Sequence, residues 1–314
     1  MKVILFLIKA EGYQLKLIVV TINIFLYFLF LCPGSACAEG DISALPGEIL
    51  PAVSRLNKAQ QDDFLNLIKD INNYGTCEDT VFSCLNRQPP DRVAVRNTTI
   101  VVFLISNGAR NDDVKRILAE RAKFAKETTK FIFTLDGRPA KGDPNARIVV
   151  VDFAEFKCPY CWDLVPTLNK LVEESKGRVK VVFKHFPLKS HKGSLFSSTA
   201  AEAAHRQGRF WEMGALLYSD MKRQEREDIE SHARKLGLDM QLFKRDMEEV
   251  RLLEDIERDK SEGVLAGVSG TPSLFVNGKA YKMPRHESFL KDVINDEAVE
   301  LGLEPPFPDP YHSN

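Results

Sequence analysis

Arg147-Ile148-Val149-Val150-Val151-Asp152-Phe153 runs into Cys158-Pro159-Tyr160-Cys161, and the reading of this stretch decides the fold. The first part is dense in β-branched residues and reads as a buried strand over 148–156. The second opens a helical pattern, with Leu164, Val165, Leu168, Leu171 and Val172 at helical spacing and Gly177 to end it. Two thiols two residues apart at a helix start can close into a small disulfide and exchange it with another thiol. A structural CxxC would instead be half of a zinc site, and no second CxxC or HxxxH is present to complete one.

Outward from this centre, Phe131–Leu135 reads as a short strand, with turns at Asp136-Gly137-Arg138-Pro139 and Gly142-Asp143-Pro144-Asn145. A strand is expected over Arg178–Phe186. An all-helical stretch follows from Ser194 to Val268, with Asp239 as an N-cap. Ser273–Tyr281 returns to strand, with Asn277-Gly278 as its hairpin turn, and Glu287–Leu301 closes as a helix. The order predicts an α/β class: a β-α-β half and a β-β-α half, the thioredoxin fold with a helical insertion. A small all-helical region over 46–126 precedes it. The boundaries read from sequence are 127–303 for the thioredoxin-like part and 304–314 for a proline-rich flexible tail.

With 28% charged residues of balanced sign in 314, the chain has no basic footprint for nucleic acid. Residues 1–38 depart from this average. Lys2, Lys9 and Lys16 precede an apolar run from Leu17 to Leu31, and Ala36-Cys37-Ala38 offers a cleavage site. This is expected to be a signal peptide, the alternatives being an uncut membrane anchor or, against Gly34, lipid attachment at Cys37. Cleavage leaves Cys77, Cys84, Cys158 and Cys161 in a periplasmic or other extracytoplasmic setting where disulfides persist. The Asn97-Thr98-Thr99 sequon reads as incidental.

Five blocks in order resemble the DsbA-like thioredoxin-fold oxidoreductases: Val151-Asp152-Phe153, Cys158-Pro159-Tyr160-Cys161, Val182-Phe183-Lys184-His185-Phe186-Pro187-Leu188, Ala200–Ala204 with Gln207–Trp211, and Val268–Pro272. The resemblance spans about residues 130–300. It implies disulfide exchange with unfolded or thiol-containing exported proteins, and no bound cofactor or metal. A membrane partner, a quinone-linked oxidase or a thiol reductase, would reset the pair. It further implies Cys158 as the attacking sulfur at the helix N-terminus, Cys161 as the resolving one, Asp152 as the buried acid serving Cys161, and Thr271-Pro272 as a cis-proline loop facing the thiols. Pro159, Tyr160, Thr271 and Pro272 are the expected substrate contacts.

Other residues carry plainer expectations. Glu155 is expected to alternate to the solvated face, His185 to be packed or at the surface, and Trp162, Phe210 and Trp211 to be core or groove-lining aromatics. On one continuous helix Cys77 and Cys84 would lie about 10 Å apart, too far to bridge. Gly75-Thr76 points to a helix start beyond Cys77, leaving open a structural disulfide, two free thiols or a second redox relay. An isomerase or reductase using 46–126 as a dimerisation module, and a peptide-binding chaperone with secondary redox activity, are the alternative functions.

Overall fold

The computed structural model describes residues 42–311, so the leader-like segment 1–38 lies outside the described residues. Ile42–Ala44 form a 3-10 turn, and from Leu45 onward the chain folds as one unit.

Five strands in the order β1-β3-β2-β4-β5 form the sheet: β1 Ala140–Lys141, β2 Ile148–Ala154, β3 Val179–His185, β4 Ser273–Val276 and β5 Lys279–Tyr281. The valine-rich β2 is central, parallel to β3 with Asp152 opposite Phe183, and antiparallel to β4 with Phe153 opposite Ser273. Flanked on both sides, it satisfies its backbone in both directions, as a continuous apolar run requires. Residue period 2 splits its side chains. Val151 and Phe153 join Phe186 and Phe275 on one face. Ala154, with Phe183, packs against the opposite cluster.

Numbered in chain order, the helices before the sheet are α1 Leu50–Val53, α2 Lys58–Asp70, α3 Val81–Leu85, α4 Arg92–Ser106 and α5 Asn111–Lys126. Helix α6, Pro159–Glu174, connects β2 to β3. The insertion comprises α7 Ser194–His205, α8 Phe210–Ser219, α9 Arg226–Lys235, α10 Met240–Met247 and α11 Val250–Leu265. Helix α12, Glu287–Glu300, ends the fold. Asp239 caps α10 by accepting from the Gln241 and Leu242 N–H groups. The turn between β4 and β5 has Asn277 at φ +48° and Gly278 at φ +83°. A Cβ on Gly278 would lie 2.4 Å from the Phe131 carbonyl oxygen, so only glycine fits there.

Two expectations are corrected. Phe131–Leu135 is not a strand. Phe131 donates to the Gly278 carbonyl, but Thr134 N–H is met by the Glu262 carboxylate and Thr134 C=O by Lys184 Nζ. Side chains take the place of a partner strand, and the segment holds by packing the Phe131 and Phe133 rings edge-to-face with Phe275, at 5.7 and 4.9 Å. The tail does not fray through residue 311. Arg178 donates to the carbonyls of Glu304, Pro305 and Pro306, and Asn295 both donates to and accepts from Phe307, which is buried.

The N-terminal helices are joined to α12 by buried charge. Arg121 Nε donates to Asp292 Oδ2 at 2.5 Å, Arg121 also pairs with Asp296, and Arg96 Nε lies 3.3 Å from Asp292 Oδ1. Cys77 and Cys84 are bridged, with α-carbons 5.8 Å apart, because α3 starts only at Val81. Asn97 of the sequon lies buried within α4 and donates to Asn73 Oδ1.

Replacing Asp292 with Ala leaves the buried Arg121 guanidinium with Asp296 as its one carboxylate partner among the described residues. The variant is expected to lose about 3–5 kcal/mol in urea unfolding, against under about 1 kcal/mol for Lys58→Ala in an exposed pair.

Candidate functional site

Cys158 is the N-cap of α6, with extended backbone (φ −96°, ψ 112°), and Pro159 follows at the first helical position, where the missing N–H costs nothing. The free N–H groups and positive end of the helix therefore face the sulfur. Across the site, Thr271-Pro272 is a cis peptide, and the Cys158 thiol donates to the Thr271 carbonyl at 3.3 Å. Both cysteines are free thiols and buried. Tyr160 is 64% exposed and forms the outer rim with Trp162. The sequence-predicted cysteines, Pro159, Tyr160, Thr271 and Pro272 thus come together at the end of the sheet where β2 leaves and β4 enters. Cys77–Cys84 is a separate bridge between α3 and the loop before it.

The two sulfurs are driven apart electrostatically. The Cys158 thiol is lowered to about 6, first by a hydrogen bond from the Cys161 thiol, against the cost of burial. The neighbouring Thr271 side chain lowers it further. Cys161, one turn inside, is pushed up by burial, then by its bond to Cys158 and the nearby Asp152. At neutral pH these shifts favour a thiolate at Cys158 and a protonated thiol at Cys161.

Asp152 is buried, and its Oδ1 has no hydrogen-bond partner among the described residues. Burial lifts its carboxyl from 3.8 to about 7, with the Cys158 charge adding and Arg285 opposing. The sequence placed Glu155 at the solvated face, and this is wrong. The strand ends at Ala154, so alternation no longer applies, and Glu155 is fully buried. It accepts from Ser194 Oγ at 2.6 Å and Lys157 N–H at 2.9 Å, and pairs with His191 Nδ1. Its charge opposes the Cys158 thiolate. His191 and Arg285 belong to the site's electrostatics and carried no sequence signal. His185 is packed, bonded to Glu202 at 3.1 Å and edge-on to the Phe183 ring.

A family model described as thioredoxin matches residues 134–296, more than half of the chain. The chain belongs to the thioredoxin family. Its helical block between β3 and β4 is the insertion expected of the DsbA-like arrangement. The chain is 32% identical over 166 residues to the Na(+)/H(+) antiporter NhaA 3 of Salinispora tropica, a match covering 52% of this chain and 25% of that protein. The chain thus matches only about a quarter of the length of the curated relatives. Among solved structures it is similar to a thioredoxin-like oxidoreductase of Silicibacter pomeroyi, with 28% identity, TM-score 0.46, and coverage of 52% of this chain and 94% of that one. It is also similar to the thiol-disulfide exchange protein alpha-DsbA2 of Wolbachia pipientis, with 18% identity, TM-score 0.47, and coverage of 59% and 97%.

Two titrations follow. In reduced protein, the ultraviolet thiolate signal of Cys158 is expected to rise with a midpoint near about 6. Asp152 keeps its proton to about 7 in the folded state and only to 3.8 in an ordinary setting, so native stability falls as pH rises through that window. Asp152→Asn removes this loss. Relative to wild type it should gain up to about 4 kcal/mol between pH 4 and pH 8 in urea unfolding of the reduced protein.

Proposed function

We propose that the chain is an exported thiol:disulfide oxidoreductase acting on protein substrates, with Cys158 as nucleophile and Cys161 as resolving thiol. The observation that carries this reading is the Cys158 sulfur, acidified at a helix start and 3.3 Å from the Thr271 carbonyl beside a cis proline. The leader-like residues 1–38 support export.

In the direction of substrate oxidation, a substrate thiolate attacks the Cys158 sulfur of the 158–161 disulfide. The Cys161 thiolate leaves and takes a proton from the buried Asp152 carboxyl, whose charge acts on Cys161. A second substrate thiolate then attacks its own mixed-disulfide sulfur and expels the Cys158 thiolate. Two electrons pass from substrate to protein, one disulfide forms in the substrate and one breaks in the chain. Reversal of the same steps reduces a substrate disulfide.

The low pKa makes Cys158 a good leaving group and stabilises the reduced pair, which favours the oxidising direction. The backbone at Thr271-Pro272 offers polar groups to an extended chain, a sequence-tolerant way of holding unfolded clients. A quinone-linked membrane oxidase is the partner that direction requires. A membrane thiol reductase would serve the reverse.

Equilibration of the 158–161 pair with glutathione is expected to give a reduction potential above the thioredoxin value of about −270 mV. A potential at or below it assigns the chain to reduction. Cys158→Ser is expected to abolish exchange with a model peptide disulfide, and retained exchange in that variant refutes the assignment.

A further inference from the structure

Beneath the redox pair lies a cavity of about 230 Å³, between the sheet, α6 and α8. Phe156, Phe183, Phe210, Trp211 and Tyr218 contribute aromatic rings to its wall. An apolar cavity of about 150 Å³ already suffices to take up benzene, so one aromatic ring fits with room for a short substituent.

A carboxyl and an ammonium break the apolar wall, and neither forms an ion pair among the described residues. The first is Asp152, whose buried Oδ1 has no hydrogen-bond partner among the described residues. The second is Lys141, half-buried on the short edge strand β1. Its Nζ donates to Asn169 Oδ1 at 2.6 Å and lies 4.5 Å from the Trp211 ring centroid. Among the described residues no carboxylate pairs with it directly, and burial lowers its pKa, with Glu173 and Glu212 opposing only through space. A desolvated ammonium held by one neutral oxygen and one ring face has donors left for an anion.

The sheet fixes how these two groups face each other. Lys141 stands opposite Val181 and Asp152 opposite Phe183, and Val181 and Phe183 are two apart on β3. Both therefore project from the same face of the sheet. They are separated by two strand spacings across and two residues along, about 12 Å between α-carbons. With both side chains reaching inward, the gap matches a ring carrying one short acidic arm.

We propose that this cavity is a binding site for a small aryl carboxylate, the carboxylate on Lys141 and the ring among the aromatic side chains with its far edge toward Asp152. The ring supplies the apolar contact that such pockets require, and the single cation fixes its direction. Aryl carboxylate is preferred over a neutral aromatic because Lys141 is the unpaired charge. It is preferred over a simple anion because the wall behind Lys141 is aromatic.

The site stands on the cavity and does not rest on the exchange reading. The test is titration of the full chain, and of Cys158→Ser, with phenylacetate, toluene and acetate, followed by ligand-observed NMR. Phenylacetate is expected to bind both proteins alike, at least roughly tenfold more tightly than toluene or acetate. Lys141→Met should remove the advantage over toluene. Ala215→Trp, at the cavity mouth on α8, should block both aromatic probes while leaving the thermal midpoint unchanged. Absence of phenylacetate binding, binding no tighter than toluene or acetate, or binding untouched by Lys141→Met overturns the proposal. Because Cys158→Ser cannot exchange disulfides, a failed exchange assay and a failed titration remain separate results.

Discussion

The site depends on the antiparallel pairing of β2 with β4. Phe153 lies opposite Ser273, so the chain leaving β2 and the chain entering β4 meet at the same end of the sheet. That register alone brings Cys158 against the carbonyl of Thr271, 113 positions away. A one-residue slip would turn every side chain of the strand to the other face and carry Asp152 out of the site. The backbone ladder is therefore the primary determinant of the chemistry, and the thiol pair is placed by it.

Between β3 and β4 the chain leaves for five helices and returns, and buried charge governs where that excursion docks. Lys184 at the end of β3 lies 2.9 Å from Asp259 and 2.7 Å from Glu262 of α11, Arg138 reaches Asp259, and His185 bonds Glu202 of α7. Burying such pairs costs desolvation that their attraction only partly offsets, so they add little net stability. They are strongly directional instead, since any other docking leaves a charge buried and alone. Arg96 and Arg121 do the same between the N-terminal helices and α12, so that region spends its buried charges within its own chain.

Much of this was legible in the sequence, for identifiable reasons. The valine run of β2, the helical spacing behind Cys161, the Asn277-Gly278 turn and the Asp239 cap are local signals whose meaning needs no distant partner. The failures share the opposite property. Phe131–Leu135 has strand composition, yet its polar backbone groups are met by Glu262 and Lys184, residues far along the chain. Glu155 resembles a solvated strand residue until Ser194, 39 positions on, supplies a donor. The tail looked frayed because nothing in its prolines reveals that Arg178 collects their carbonyls. The aromatic cavity was invisible for the same reason, since its wall comes from five separate segments of chain.

Asp152 and Glu155, three residues apart at the end of β2, show how one short stretch divides its charge. Glu155 accepts from a hydroxyl, an N–H group and a histidine, whereas Asp152 is buried with one oxygen unpartnered among the described residues and is pressed toward its neutral form. The Cys158 thiolate is itself one of the charges holding that proton on Asp152. In the proposed exchange, capping Cys158 in a mixed disulfide removes its charge, and Asp152 then releases its proton more readily. The base that Cys161 needs thus becomes available at the stage when Cys161 must attack. The order of events follows from two neighbouring charges in one buried space, without any movement of the backbone.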